Sequence, residues 1–273
     1  MGMMGRIADR VSALNRLRTR VRALRLAVDE AQARMLAPGM PPMFVSDVRA
    51  TTKAVAHGME GAADAHREYV AFEDVFYDST VVDMKMQSYV PAIVEAVESV
   101  SSSAKIVADL GCGRGELMCL LRAQGIETLG AEINAAECED LQAAGLDVRC
   151  TDANAFLAGC EDASLAAVVV IQVVEHLEPE YFLELIGLFG EKIAPGGIAI
   201  VETPNPKCLA VAGNFYLDLT HKRPYPVETV QFYLERAGFA VMETKYLMPC
   251  AEAYRVEDFP EANYTDYAVV ARR

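Results

Sequence analysis

A short apolar run followed by three closely spaced glycines is the feature that most constrains the fold of this chain. Residues 106–110 (IVADL) are mostly aliphatic, and the pattern predicts a buried strand. Gly111, Gly113 and Gly115 follow directly, and a helical pattern begins at Leu117. Glycine lets the chain turn tightly and lets its backbone approach a ligand closely. A strand, a glycine loop and a helix in this order open a nucleotide-binding βαβ unit.

The glycine spacing distinguishes between nucleotide ligands. A dinucleotide-binding loop reads G-x-G-x-x-G, whereas this loop reads G-x-G-x-G and has Glu116 at the position of the third dinucleotide glycine. About 20 residues after the loop, Glu132 ends a second predicted strand, where such folds place a carboxylate on a ribose diol. The pattern therefore favours a nucleoside ligand and disfavours a nicotinamide dinucleotide.

Strands and helices are predicted to alternate along the rest of the chain. This alternation predicts an α/β fold with a doubly wound, mostly parallel, Rossmann-like sheet of seven strands. The last two strands are predicted to form an antiparallel edge, and residues 194–197 are predicted to form a turn. The predicted strands are 105–110, 127–132, 146–150, 166–171, 198–202, 240–248 and 265–272, and the predicted helices are 89–100, 116–123, 135–144, 179–189 and 227–237.

Composition excludes several classes of partner. The net charge of −14 argues against a nucleic-acid ligand. No apolar run approaches the roughly 20 residues that span a bilayer, and no secretory signal is recognisable. The seven cysteines are scattered without a C-x-x-C pair, which argues against a cysteine zinc site and predicts reduced thiols in the cytoplasm.

The sequence predicts three segments. Residues 1–36 carry eight arginines against three acids, with apolar residues at heptad spacing. This segment is predicted to be an amphipathic helix that pairs with a second copy, giving a homo-oligomer, or packs on the body. A membrane-surface or acidic partner, or a cleaved transit peptide, are the alternatives. Residues 37–84 are predicted to be a linker and helical cap, acting as a lid or as ordinary packing, and 85–273 the nucleotide-binding domain.

Five segments resemble the successive motifs of class I S-adenosylmethionine (SAM) methyltransferases: residues 107–116, 130–134, 150–154, 168–177 and, as their KPGG turn, 194–198. The resemblance implies that SAM is the cofactor. It implies that Gly111 and Gly113 back the methionine part of SAM and that Glu132 holds the ribose hydroxyls. It also implies that Asp152 bonds the adenine amino group, with the Ala153 N–H at the ring. From the residues alone, Glu132 and Asp152 are equally candidates for helix caps.

The same resemblance implies further cofactor contacts. Gln172 would line the methionyl end, and Lys85 and Tyr89 stand where related enzymes place a residue on the SAM carboxylate. The remaining implied cofactor-binding positions are Asp109, Cys112 and Ile133.

Two segments narrow the resemblance. Residues 172–176 (QVVEH) are similar to the E-x-x-E-H segment of ubiquinone-biosynthesis O-methyltransferases, whose acids and histidine hold a divalent cation. Here Gln172 replaces the first acid, which leaves Glu175 and His176 as weak candidates for a Mg²⁺ site. Residues 214–224 (NFYLDLTHKRP), with 202–206 (ETPNP), resemble bacterial sugar and polysaccharide methyltransferases, including the O-antigen chain-terminating type. In that group the loop reads close to NFYLDPTHxRPxHP, so Leu219 and Tyr225 depart from it.

The chemistry of O-methylation directs attention to the histidines. A sugar hydroxyl is a poor nucleophile until it loses its proton, and histidine is the usual proton acceptor. His176 and His221 are the candidates, and Asp218 is predicted to orient His221; each histidine has a purely structural hydrogen bond as its alternative role. The predicted substrate-binding residues are Tyr216, Lys222 and Arg223.

The predicted function is SAM-dependent O-methylation of a sugar hydroxyl in a bacterial glycan, polysaccharide or glycolipid precursor. The alternatives are a quinone- or phenol-type O-methyltransferase and a SAM-binding scaffold without turnover.

Overall fold

One sheet of seven strands organises the computed structural model, which describes residues 79–101 and 103–273. Its order is β3-β2-β1-β4-β5-β7-β6; neighbouring strands from β3 to β5 run parallel, and β7 lies antiparallel to both β5 and β6. The strands are β1 Ile106–Leu110, β2 Thr128–Glu132, β3 Val148–Cys150, β4 Leu165–Ile171, β5 Ile193–Pro204, β6 Ala240–Pro249 and β7 Tyr264–Arg272. The predicted α/β architecture and antiparallel edge are confirmed.

Helices fill the connections between these strands. The α-helices are α1 Ser79–Ser99, α2 Glu116–Ala123, α3 Ala135–Ala143, α4 Ala153–Ala158, α5 Pro179–Lys192, α6 Leu209–Asn214 and α7 Val227–Arg236. Four short 3₁₀ segments in the same described residues are Val174–His176, Phe215–Leu217, Glu252–Tyr254 and Pro260–Asn263. Helix α1 begins before residue 85, where the nucleotide-binding domain was predicted to start. The predicted helix at 1–36 and the segment 37–78 lie outside the described residues.

Strand β4 explains how the core is arranged. All seven of its residues (LAAVVVI) are buried, as expected for a central parallel strand covered on both faces. Because strand side chains alternate between faces, Val168 and Val170 pack with α4, α5 and α7, whereas Val169 and Ile171 pack with α1 and α2. The parallel strands therefore end at one edge between two helical layers, where ligands of open α/β sheets bind.

The predicted turn at residues 194–197 is wrong. This segment belongs to β5, whose pairing with β4 slips in register between Leu165 and Ala167. Gly196 takes a φ of 89° there, and Gly197 has no room for a side chain because a Cβ would lie 2.6 Å from the carbonyl oxygen of Ala166. The glycines thus serve a bulged strand rather than a chain reversal.

Two shorter observations complete the fold. Between β5 and α7 the chain forms α6 and the 3₁₀ segment Phe215–Leu217. Among the described residues, no helix combines the length and apolar character needed to cross a membrane.

Candidate active site

The glycine loop after β1 is shaped by contacts that leave no room for side chains on one side. The N–H groups of Gly111 and Cys112 both donate to the carbonyl oxygen of Ala131, at 2.8 and 3.2 Å. Gly111 has a φ of 70°, and a Cβ on it would lie 2.4 Å from Cγ2 of Val173. At Gly113 (φ 50°) a Cβ would meet no described atom within 4 Å. The loop is therefore packed against the end of β4 at Gly111 and open above Gly113.

The carboxylate of Glu132 faces this loop. Its Oε2 accepts a hydrogen bond from the N–H of Gly113 at 3.0 Å. Its Oε1 accepts from the N–H groups of Ile133 and Asn134, at 2.7 and 2.8 Å. Glu132 is only 8% exposed, whereas the next side chain, Ile133, is 65% exposed. The fold thus presents an oriented carboxylate and an uncovered apolar side chain beside the open part of the loop.

A second group of polar residues forms where β4 and β5 end, and it contains two histidines. Glu175 and His176 belong to the 3₁₀ segment after β4, and His221 comes from the loop before α7. The two imidazole centroids lie 4.7 Å apart in an edge-to-face arrangement. One potential ligand atom from each of Glu175, His176 and His221 lies within 4.8 Å of the other two. Because Val173 contacts the glycine loop, this group adjoins the predicted cofactor site.

Hydrogen bonds fix the protonated nitrogen of both imidazoles. Nδ1 of His221 lies 2.6 Å from the carbonyl oxygen of Phe215, which can only accept, so Nδ1 carries the proton. The Thr220 hydroxyl donates to Oδ1 of Asp218 at 2.6 Å and therefore accepts from Nδ1 of His176 at 2.8 Å. When either ring is neutral, its lone pair is consequently on Nε2.

Asp218 lies next to His221 and also supports Thr220. Its Oδ2 lies 3.8 Å from Nε2 of His221, which is too long for a hydrogen bond, so its role in orienting His221 stays a prediction. Its Oδ1 accepts hydrogen bonds from the N–H and the hydroxyl of Thr220, and the Thr220 hydroxyl contacts His176. Thr220 was not predicted as a site residue, although it stands beside His221 in the sequence. The structural alternative weighed for His221 is also present, since its Nδ1 bond to Phe215 stabilises the loop.

Glu175 is completely buried and anchors the segment that carries His221. Its backbone oxygen accepts from the N–H groups of Lys222 and Arg223, at 2.9 and 3.3 Å. Its Oε2 accepts from the Thr203 hydroxyl at 2.9 Å, whereas its Oε1 has no hydrogen-bond partner among the described residues. Burial raises the pKa of Glu175 to about 8. Burial, with His221 nearby, lowers the pKa of His176 to about 4.

Lys85, Tyr89 and Gln172 are brought together around Glu202, a fully buried carboxylate on β5. Lys85 pairs with Glu202 and, at 3.3 Å, with Asp266, and Tyr89 donates its hydroxyl to Glu202. Gln172, strained at a φ of 56°, donates through Nε2 to both carboxylates at 3.0 Å.

This buried cluster sets two further pKa values. Burial disfavours the charge of Lys85, but the two carboxylates outweigh it and raise its pKa. Burial and the adjacent Glu202 raise the pKa of Tyr89. The role of Glu202 was not predicted, although it opens the ETPNP segment, and no local signal marks Asp266.

Comparison with known proteins identifies the fold. A family model described as a methyltransferase domain matches residues 83–244, more than half of the chain. The chain belongs to this methyltransferase family.

Relatives of the methyltransferase domain agree with this assignment. A solved SAM-dependent methyltransferase from Archaeoglobus fulgidus is 29% identical, with a TM-score of 0.67 over 75% of this chain and 99% of that one. A probable SAM-dependent methyltransferase of Mycolicibacterium smegmatis is 28% identical over 138 residues, which are 50% of this chain and about half (53%) of that protein. A geranyl diphosphate methyltransferase solved with SAM shares the fold, at 13% identity and a TM-score of 0.55 over 81% of this chain and 94% of that one.

SAM is the cofactor of such domains, and the residues at the glycine loop fit it. A nucleoside with a methionyl group needs close access to the backbone and an acceptor for its diol. The space above Gly113 and the carboxylate of Glu132 supply these two features, and the uncovered Ile133 offers an apolar surface beside them. Asp109, 4% exposed, lies behind the loop; burial, with Glu116 and Glu132 nearby, raises its pKa to about 7.

Other predicted cofactor residues of the methyltransferase domain take structural contacts. The Cys112 side chain packs in an apolar cluster with Met118 and Leu141, and burial raises its pKa. Asp152 caps α4 by accepting from the N–H of Ala155 at 2.9 Å and also accepts from the Tyr181 hydroxyl at 2.6 Å, a bond that lowers its pKa. The helix-cap interpretation of Asp152 is therefore observed, and adenine contacts by Asp152 and Ala153 stay a prediction.

The predicted substrate residues Tyr216, Lys222 and Arg223 are exposed and belong to the same segment as His221. Tyr216 is 64% exposed. Lys222 is exposed and forms an ion pair with Glu178 at 3.1 Å. The guanidinium of Arg223 lies over the ring of Tyr225, 5.5 Å from its centroid.

Proposed function

We propose that this chain transfers the methyl group of SAM to a hydroxyl group of a sugar in a bacterial glycan, polysaccharide or glycolipid precursor. The observation that supports this most is the position of His176 and His221. The segment that resembles sugar methyltransferases supplies Asp218, Thr220 and His221, and it is anchored through its backbone to Glu175, directly after the strand that contacts the glycine loop. A group able to activate a hydroxyl thus adjoins the proposed cofactor site.

The proposed roles follow from the chemistry of the donor and the acceptor. SAM supplies an electrophilic methyl group. Glu132, with Gly113 and Ile133, would hold the nucleoside, and Gln172 would line the methionyl end. The acceptor oxygen forms its bond to the methyl carbon as the carbon–sulfur bond breaks, and its proton leaves to the protein or to water. The Nε2 lone pairs of His176 and His221 can accept this proton, although the lowered pKa of His176 makes it a weak base near neutral pH. General-base catalysis of this kind contributes about 10²–10⁴-fold to a rate.

Asp218 and Thr220 would contribute by position. Asp218 accepts a hydrogen bond from the Thr220 hydroxyl, and this hydroxyl accepts one from Nδ1 of His176. The two hydrogen bonds hold the proton of His176 on Nδ1, so Nε2 would be available to the acceptor. Positioning of a reacting group can lower a barrier by roughly 7–11 kcal/mol at best. The exposed side chains of Tyr216, Lys222 and Arg223 would contact hydroxyl or phosphate groups of the acceptor.

The test is an activity screen with matched variants. Full-length protein is incubated with SAM and a panel of nucleotide sugars, lipid-linked sugars and oligosaccharides, and S-adenosylhomocysteine is measured by mass spectrometry. His176→Ala and His221→Ala are each expected to lower kcat by about 10²–10⁴-fold while SAM affinity, measured by calorimetry, stays within about twofold. Glu98→Ala, an exposed position on α1, serves as the control. Turnover near that of the unmodified protein in both histidine variants would contradict the proposal.

The same screen distinguishes the alternative functions. Catechols and quinols in the panel test the quinone- or phenol-type activity, and methylation of these compounds alone would replace the sugar assignment. Saturable SAM binding without turnover on any acceptor would instead favour a non-catalytic scaffold.

We further propose that residues 1–36 pair with a second copy of the chain through their heptad seam. Replacing Leu17 and Leu24 together by Asp places charge on that seam. The mass in solution, measured by light scattering, is expected to fall to that of one chain, and an unchanged mass would contradict this assignment.

A further inference from the structure

A cavity of about 370 Å³ lies between two segments that have no part in the proposed methyl transfer. One wall is formed by residues that follow β5, and the other by the connection between β6 and β7. Because Pro204 of β5 pairs with Asp266 of β7, both walls lie at the edge of the sheet where the parallel strands end. The lining side chains are Lys207, Leu209, Val256, Phe259, Glu261 and Ala262. A mostly apolar lining and a volume of this size are typical of a small ligand site.

Two asparagines fix the walls of this cavity. The amide of Asn205, which is 2% exposed, donates to the carbonyl oxygens of Glu261 and Tyr264, at 2.8 and 2.9 Å. The Asn263 side chain accepts from the N–H of Val256 at 2.7 Å and donates to its carbonyl oxygen at 3.0 Å. These bonds hold the connection between β6 and β7 against the end of β5. The cavity is thus a fixed part of the fold, as is usual for ligand sites.

Exposed apolar side chains are concentrated between the cavity and the histidine segment. Among the described residues, large hydrophobic side chains are exposed at eleven positions, and six of these fall within 209–219 or 254–259. The six are Leu209, Tyr216, Leu217, Leu219, Tyr254 and Phe259. Helix α6 begins at the cavity with Leu209 and leads to Phe215, whose carbonyl oxygen accepts from His221. An apolar surface therefore accompanies the chain from the cavity to the segment that carries His221.

The charges at the cavity favour an uncharged ligand. Lys207 is the only cation among the described residues that line it. Its Nζ lies 2.5 Å from Oε1 of Glu228 and 4.0 Å from Oε1 of Glu261. Because two carboxylates already surround this ammonium group, it has little attraction left for a phosphate. The remaining lining side chains are hydrocarbon and offer nothing to sugar hydroxyls, so an apolar group fits the cavity best.

We propose that this cavity binds the hydrocarbon chain of a lipid-linked acceptor, while the sugar of the same molecule reaches the histidines. The inference rests on the proposed function for the sugar, and it names the lipid-linked class as the acceptor. The binding of a hydrocarbon chain is argued from the lining alone. The six residues of α6 span about 9 Å, so one amphiphilic molecule can lie along this helix with its chain in the cavity.

Two glucosides that differ only in the length of their alkyl chain test the cavity without reference to activity. Full-length protein is titrated by calorimetry with octyl glucoside, below its micelle concentration, and with methyl glucoside. Each buried methylene group strengthens binding about fourfold, so burial of two extra methylenes makes the octyl compound bind more than about tenfold tighter. We expect saturable binding of octyl glucoside at one site per chain and no comparable binding of methyl glucoside.

Variants locate the alkyl chain. Phe259→Ser and Leu209→Ser are each expected to weaken octyl glucoside binding at least about tenfold. Phe232→Ser on α7 and Leu183→Ser on α5, which also replace exposed apolar side chains, are the matched controls and should bind normally. Both cavity side chains are more than half exposed, so neither variant removes a core residue, and circular dichroism checks that each is folded.

A fluorescent side chain gives a second, local measurement. The chain contains no tryptophan, so Phe259→Trp adds a single indole at the cavity. Its emission should shift to shorter wavelength as octyl glucoside is added, because hydrocarbon replaces water beside the indole, and methyl glucoside should leave it unchanged. Phe232→Trp is the control and should respond to neither compound.

Three results would overturn the proposal. The first is no saturable binding of octyl glucoside, which would mean that another part of the chain or a protein partner covers this surface. The second is equally tight binding of methyl glucoside. The third is binding that Phe259→Ser and Leu209→Ser both leave unchanged, which would place the glucoside elsewhere.

Activity separates this inference from the proposed function. If octyl glucoside binds as expected and no sugar in the screen is methylated, the cavity assignment stands and the proposed function is wrong. If soluble oligosaccharides and lipid-linked sugars are methylated with equal kcat/KM, the proposed function stands and the lipid-linked assignment is wrong. With a lipid-linked acceptor, Phe259→Ser should raise KM about tenfold and leave kcat nearly unchanged, since the chain binds away from the reacting atoms.

Discussion

Thr220 accepts a hydrogen bond from Nδ1 of His176 at 2.8 Å, while its own hydroxyl proton is donated to Asp218. This contact holds the proton of His176 on Nδ1, which leaves the lone pair of the neutral ring on Nε2 for the proposed acceptor hydroxyl. We therefore predict that Thr220→Val lowers kcat roughly 10–100-fold, a loss typical of residues that orient a functional histidine. Thr220→Ser retains the hydroxyl and should restore most of the rate. Steady-state kinetics on both variants, with SAM affinity as the control, check this; equal losses in Val and Ser variants would contradict it.

The Glu132 carboxylate should determine SAM affinity. It faces the glycine loop with three backbone N–H contacts and is the expected partner of the ribose hydroxyls. Hydrogen bonds to a charged group contribute about 1.5–3 kcal/mol, so Glu132→Ala is expected to weaken SAM binding roughly 10–100-fold. Calorimetry with SAM measures this. Glu127→Ala, before the same strand, should bind SAM normally, and an equal loss in both variants would argue against the assigned role.

Two glycines of one loop should respond differently to alanine. A Cβ at Gly111 meets Val173, so Gly111→Ala is expected to destabilise the fold by about 2–4 kcal/mol through overpacking and the positive φ. A Cβ at Gly113 points into open space, so Gly113→Ala should cost only about 1–2 kcal/mol through its positive φ, but it should weaken SAM binding strongly because the Cβ enters the proposed cofactor space. Denaturant unfolding gives the free energy of unfolding of each variant, and calorimetry gives its affinity for SAM.

A second substitution tests the cause of the first effect. Val173→Ala should recover part of the stability lost in Gly111→Ala, because it removes the clashing methyl group. If stability and SAM affinity fell together in both glycine variants, the separation of the packed and open parts of the loop would be wrong.

Lys85 is predicted to be required for stability. It pairs with the buried carboxylate of Glu202 and the partly buried carboxylate of Asp266, and removing one partner of a buried ion pair costs about 3–5 kcal/mol. Lys85→Met should therefore lower the free energy of unfolding by that amount, whereas the exposed Lys105→Met should change it little. Urea unfolding measures both. A loss of SAM affinity without a loss of stability would instead support the contact with the SAM carboxylate that the sequence resemblance implies.

Asp109 should make stability depend on pH. Its pKa is raised from an ordinary value near 4 to about 7, so the folded protein holds a proton that the unfolded chain has lost. The free energy of unfolding should consequently fall as pH rises from about 4 to 7 and then level off. Asp109→Asn removes this contribution, which is about 2–3 kcal/mol between pH 5 and 7.5 at 1.4 kcal/mol per pH unit. Thermal unfolding without SAM at both pH values is the measurement, and parallel behaviour of the two proteins would contradict the prediction.

The parts of the site that sequence predicted are those fixed by local patterns. The glycine loop follows from backbone geometry at Gly111, and the position of Glu132 follows from the end of a predictable strand. Thr220, Glu202 and Asp266 could not be assigned in this way, because their roles depend on contacts between residues far apart in the chain. Lys85 and Asp266, for example, are separated by 181 positions.

The wrong turn prediction has an equally local cause. The Pro-Gly-Gly sequence at 195–197 predicts a turn, but β5 pairs with β4 on both sides of it, at Ile193 and at Ile198, so the strand runs through it as a bulge. The link from Asp218 to His176 was not predicted. It arises because the Thr220 hydroxyl donates to Asp218 and accepts from His176, which is far away in the sequence.

The strand order β5-β7-β6 has a consequence for biosynthesis. The ribosome makes β6 before β7, yet among the described strands β6 pairs only with β7, and β7 must insert next to β5. Until residues 264–272 have been translated, β6 lacks this partner strand, and the edge of β5 that β7 covers is open. Unpaired strand edges are prone to aggregation. The seven-stranded sheet is therefore completed only when β7 has emerged from the ribosome, and chaperones that shield emerging chains have most to protect before that point.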